Sequence, residues 1–164
     1  MLISSEIPDW LRESKTFLSW QPSKSLLASI RRYQKYRTSI MPWFFLFKII
    51  AITQHRFWSI VTGADIPLNC KIGGGLILPH PNGVVIHPDA IIGPNCLIFQ
   101  QVTIGTLSGK LPPDIGRNVD IGAGAKVLGD IYIADHACIG ANAVVLKNVP
   151  LGKTAVGVPA KVLE

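Results

Sequence analysis

The sequence predicts a mainly β chain wound as a parallel β-helix, with an α-helical segment at its N-terminus. Three observations carry this reading. An aliphatic residue returns every six positions, a smaller apolar residue stands at the fourth place after most of them, and Gly or Asn fills many of the positions between. The main register runs Ile86, Ile92, Ile98 and Ile104, then Ile115, Ile121, Val127, Ile133, Ile139, Val145 and Leu151. Upstream, Ile66, Ile72, Leu78 and Val84 keep the same spacing, offset by a two-residue insertion around Val85. A period of six fits neither the 3.6 of an amphipathic helix nor the 2 of an ordinary strand. It fits a coil with three flat sides, each a short strand, with Gly or Asn supplying the corner angles that other residues resist. Successive turns then stack at about 4.8 Å through backbone hydrogen bonds. Five such turns are expected, with a loop over residues 106–114 where the period is interrupted.

In chain order, residues 1–60 come first and read as helical. Leu26, Leu27 and Ile30 recur at helical spacing, and Pro42 suits the first turn of a second helix over residues 43–60. All four Trp lie in this part. Two roles follow for it. Phe44, Phe47, Ile50 and Phe57 would cover the open end of the coil, as a solenoid requires. The segment also holds nine Lys and Arg against three acids, whereas residues 61–164 balance at seven against seven. Aromatics combined with excess positive charge suit a peripheral contact with an anionic membrane. The apolar stretch 40–52 contains Lys48 and is too short to span a bilayer. Residues 61–164 form the coil and its closing segment, giving one domain with a helical leader.

Composition narrows the class further. Cys70, Cys96 and Cys138 show no paired or metal-ligating spacing, so neither a disulfide framework nor a zinc site is expected. The start of the chain lacks the basic and apolar regions of a secretory signal, which points to the cytoplasm. No nucleic-acid motif accompanies the net charge of +6, and nucleic acid is not an expected partner. His87 should point outward, His136 lies in a turn, and His55 belongs to the helical part, so each has an ordinary role. Cys70 and Cys96 fall at small inward positions.

The stretch DIPLNCKIGGGLILPHPNGVVI, residues 65–86, carries the chemistry. It resembles the entrance of the serine acetyltransferase family of hexapeptide-repeat acyltransferases, where a DI…KIGxG segment leads to DHxTGIVI. The resemblance implies a left-handed coil, acetyl-CoA as co-substrate, His80 as general base and Asp65, fifteen residues earlier, as its partner. An imidazole suits the task, because a hydroxyl attacks a thioester poorly until its proton is removed. No metal is called for. Gly105, Ala123 and Ala141 recur every 18 residues apart from the loop, and with Gly124 lie in stretches resembling the family's CoA-binding turns. Gly157 and Lys161 match its closing GVPA(K/R) motif, whose basic residue lies near a CoA phosphate. The family's site lies between subunits, which implies a homotrimer.

Two departures bear on the acceptor. The family's Asp before the catalytic His is Pro79 here, and loop 106–114 contains no His. Both are among the groups with which the family holds serine. The PHPNG form resembles acetyltransferases of exopolysaccharide and capsule assembly, so a saccharide hydroxyl is the favoured acceptor and L-serine the alternative. A non-catalytic β-helix scaffold is the reading from another class.

Overall fold

The computed structural model describes residues 7–16, 19–38 and 41–163. A short 3-10 turn, Trp10–Glu13, precedes α1 (Pro22–Tyr36) and α2 (Pro42–Thr62). A proline begins each helix, where its missing N–H has no intrahelical partner to lose. Gly63 ends α2 in the left-handed conformation, φ 65°, with its N–H on Ser59 O at 2.9 Å.

Short strands then follow around three sides of a coil. On one side lie β2 (Val85–Ile86), β5 (Thr103–Gly105), β8 (Lys126–Leu128) and β11 (Val144–Val145). The next holds β1 (Lys71–Ile72), β3 (Ile91–Ile92), β6 (Asp114–Ile115) and β9 (Tyr132–Ile133). The third holds β4 (Leu97–Ile98), β7 (Asp120–Ile121), β10 (Cys138–Ile139) and β12 (Thr154–Gly157), with β13 (Ala160–Val162) beside it. All pair in parallel except β12 with β13, which are antiparallel. Bridges at Asp65–Val85, Ile77–Leu97 and Ile133–Val149 extend the three sides at their ends.

The registers give five turns. Their inward residues are Ile66, Ile72 and Leu78; Ile86, Ile92 and Ile98; Ile104, Ile115 and Ile121; Val127, Ile133 and Ile139; and Val145, Val149 and Ala155, all buried. The smaller positions Ala90, Cys96, Val102, Val119, Ala125, Ala137 and Ala143 are fully buried beside them. Close stacking leaves no room for larger corners. A Cβ on Gly93 would collide with the backbone of Gly116 on the turn above.

Three expectations are corrected. Val84 does not begin a repeat; it fills the small inward position before Ile86, so the two extra residues lie in the 79–83 corner rather than around Val85. Leu151 is 68% exposed, because the last turn is two residues shorter and Val149 takes the inward place above Ile133. The end of the coil is covered by α1, with Trp58 of α2 beside it, rather than by Phe44, Phe47, Ile50 and Phe57. Leu26, Leu27 and Ile30 join the core with Ile66 and Ile72, while Phe47, Ile50 and Phe57 are exposed and Phe44 stacks on Tyr36 at 5.1 Å. The helix with the cleaner apolar stripe took the buried position; α2 is apolar nearly all round and touches the protein through one face only.

The N-terminal strap is tied down by polar contacts. Arg31 pairs with Glu13 at 2.8 Å and donates to Ile72 O and Gly73 O, while Glu13 accepts the Leu76 N–H. Asn95, buried at a corner with φ 63°, accepts the Asp9 N–H and donates to Ile7 O.

Candidate active site

His80 lies in the longest corner of the first turn, residues 79–83, and its side chain is exposed. Backbone contacts fix this corner on three sides. Val84 N–H closes a turn on Pro81 O at 3.1 Å, Gly83 N–H bonds Gly63 O at 2.9 Å, and Gln101 N–H bonds Asn82 O at 2.9 Å. The imidazole is thereby carried on an ordered loop between the end of α2 and the second turn.

Asp65 is exposed and opens the first turn. Its N–H bonds Val84 O at 2.8 Å and its carbonyl accepts the Ile86 N–H at 3.0 Å. Asp65 and His80 therefore flank the same rung at Val84–Val85. No hydrogen bond or ion pair joins their side chains among the described residues; the chain brings the two to one edge without pairing them.

The CoA-site expectations divide. Residues 82, 100, 123, 141 and 157 occupy successive levels of the corner that follows the third side. Three contacts trace that edge: Gln101 N–H to Asn82 O, Gly124 N–H to Gln100 O, and Asn142 N–H to Ala123 O at 2.8 Å. The register of β10 with β12 places Gly157 above Ala141. Ala123, Gly124, Ala141 and Gly157 thus share one edge with the His80 corner. Gly105 does not. It ends β5 and pairs with Leu128, because the intervening loop shifts the register by five residues and puts Gln100 beneath Ala123. Lys161 lies on β13 opposite Val156, exposed, and with Lys147 borders a cavity of about 260 Å³ at the far end of the coil.

Gln100 and Asn82 escaped the sequence reading, since nothing in the repeat marks one turn residue over another. Gln100 Oε1 is buried without a hydrogen-bond partner among the described residues, on the level between His80 and Ala123. Its place could have been found only by counting the loop into the register.

The structure also places the other three His. His55 Nε2 is 2.8 Å from Ile66 O, His136 occupies a corner at φ 61°, and the half-buried His87 ring accepts the Asp89 N–H through Nδ1. Cys70 and Cys96 are buried, and burial pushes their thiols up to about 12 and about 11. Neither can supply a thiolate near neutral pH.

The chain is similar to known proteins over most of its length. A family model described as bacterial transferase hexapeptide (six repeats) matches residues 112–147. A serine acetyltransferase of Helicobacter pylori is 44% identical over 120 residues, covering 71% of this chain and 70% of the relative. One of Synechococcus elongatus is 46% identical over 107 residues, covering 63% of this chain and 44% of the relative. Among solved structures, soybean serine acetyltransferase complexed with serine superimposes with a TM-score of 0.72 at 35% identity, covering 87% of this chain and 57% of that one. A serine acetyltransferase in complex with CoA gives 0.72 at 33% identity, covering 88% and 58%. The chain spans between about two fifths and seven tenths of these relatives' lengths. The coil is the left-handed parallel β-helix of these proteins, as expected. The chain belongs to the serine acetyltransferase family of hexapeptide-repeat transferases.

Proposed function

We propose that the protein is an acetyl-CoA-dependent O-acetyltransferase. The observation that supports this most directly is the shared edge: an exposed imidazole on a corner held by its backbone at one level and a file of small residues, Ala123, Ala141 and Gly157, on the levels beyond it. The file leaves room for a narrow extended chain such as a pantetheine arm, with Lys161 near its far end for a phosphate. His80 takes the proton from the acceptor hydroxyl as its oxygen bonds to the thioester carbonyl carbon, then returns it to the departing CoA sulfur. Asp65, at the same edge but not hydrogen-bonded to His80 in the structure, would turn onto the far ring nitrogen and stabilise the imidazolium as it forms.

L-serine is the acceptor that the relatives' names support, ahead of the saccharide expected from sequence. A second reading remains for the saccharide hydroxyl on one specific observation: Pro79 and the His-free loop leave this chain without two groups the family uses for serine. Each lost charged hydrogen bond costs about 1.5–3 kcal/mol. The active unit in this proposal is a homotrimer in the cytoplasm, at the inner face of the membrane. The test is CoA-thiol release by purified protein with L-serine, nucleotide sugars and oligosaccharides. Saturation by serine below about 1 mM establishes the amino acid; turnover only with a sugar establishes the second reading. No release with any acceptor overturns the enzyme.

A further inference from the structure

The exposed face of α2 has no counterpart in the chemistry above. Trp43, Phe45, Leu46, Ile49, Phe57 and Ile60 stand on it, exposed by 65, 66, 60, 43, 54 and 83%. An apolar face of this extent in water marks a contact surface. Its inner side is already taken: Ala51 is fully buried, Trp58 packs against the core, and His55 holds Ile66 O. The helix is therefore held against the protein along its length and has one face left.

Charge tells what fits that face. α1 and α2 together contain six Lys or Arg and no Asp or Glu. Arg31 is paired with Glu13, and Arg32 donates to Gln54. Lys35 and Arg37, at the end of α1, are exposed beside the aromatic start of α2, where Tyr36 stacks on Phe44 and Phe47. Arg56 is exposed on the outer side of α2. A second copy laid on this face would bring like charges together. An anionic lipid surface meets both demands at once, taking apolar side chains below the headgroups and cations among them. No helix of the described residues is long and apolar enough to cross a membrane, and the buried inner side of α2 keeps it from being surrounded by lipid.

We infer that α2 lies flat on an anionic bilayer surface, with Lys35 and Arg37 at the headgroup level. This deepens the placement at the inner membrane face and does not depend on which acceptor is used. Because α2 leads directly through Gly63 into Asp65, docking holds the His80 edge close to the lipid.

Sedimentation of the full chain with vesicles tests this, using phosphatidylcholine alone and phosphatidylcholine with about 30% phosphatidylglycerol. Binding is expected only to the second, weakening with salt. The double variant Lys35→Gln, Arg37→Gln should bind about twenty-five-fold more weakly, at about five-fold for each cation. Phe45→Gln with Ile49→Gln keeps the charge and should abolish binding, with an unchanged melting temperature showing that the fold survives. Failure of the unaltered protein to sediment with anionic vesicles overturns the inference. So does full binding by the Phe45, Ile49 variant, which would mean simple charge adsorption. Loss of self-association in that variant, without lipid binding by the parent, would assign the face to a second copy instead. Thiol release in vesicle-free solution reads the enzyme separately, so the two proposals can fail independently.

Discussion

Replacing His80 by Ala removes an exposed ring and leaves the 79–83 corner held by its backbone bonds. Turnover should fall by about two to four orders of magnitude, while acetyl-CoA affinity, measured by calorimetry, stays within a factor of a few; a near-normal rate would dismiss the base. Asp65→Asn should cost less, because the ring keeps its nitrogen. The motif that contains His80 and Asp65 singled them out in the sequence, and the structure puts both exposed beside the start of the coil. Gly105 was misplaced because an 18-residue count does not survive the loop before Asp114, and Gln100 went unseen for the same reason. The thiols give a second expectation. Cys70 and Cys96 ionise less readily folded than unfolded, where their value is 9.0. The folded chain thus binds more protons at high pH, so their contribution to stability is full below about pH 9 and is lost as pH rises toward 12. Denaturant midpoints should fall across that window, and less steeply in Cys70→Ala once its lower baseline is subtracted. At neutral pH a thiol reagent should label the exposed Cys138 in the native protein and all three Cys only after unfolding.

For the elements, spacing alone located all three sides of the coil, because each inward position admits only an aliphatic residue and many corners take a left-handed backbone angle that Gly or Asn adopts. It could not decide between Val149 and Leu151, both aliphatic; only the shortened last turn chooses. Nor could it decide which helix covers the coil, since α1 and α2 both carry apolar residues at helical spacing. The structure makes the α1 contact depend on Arg31 and Glu13, whose side chains are 17 and 8% exposed. Glu13→Ala leaves the guanidinium without its counter-charge and frees the Leu76 N–H. A loss of about 3–5 kcal/mol is expected, read from chemical denaturation. Within the coil, Gly93→Ala should be worse than its size suggests, because the obstructing atoms on Gly116 and Arg117 are backbone and cannot rotate away. Lower melting temperature and reduced soluble yield would show it.

At the scale of the molecule, His80 and the small-residue edge lie open on a single chain, which is why a partner subunit is proposed to complete the site. Light scattering should give about three times the 17.8 kDa of the chain at micromolar concentration; a monomer there would remove the shared site. The coil's two ends differ in what they offer to another chain. At the first turn the helices lie across the opening. At the fifth, β13 folds back against β12 in the opposite direction, with Ala155 facing Val162 and Gly157 facing Ala160. Parallel stacking, left bare, has no intrinsic length: any edge with free amides can template the next strand, as fibrils do. The reversed strand occupies the hydrogen-bonding edge of one side and offers the wrong polarity for another parallel coil. The reversed strand thereby sets where this side of the coil stops, and removing residues 158–164 should promote end-to-end association, read as larger species by light scattering.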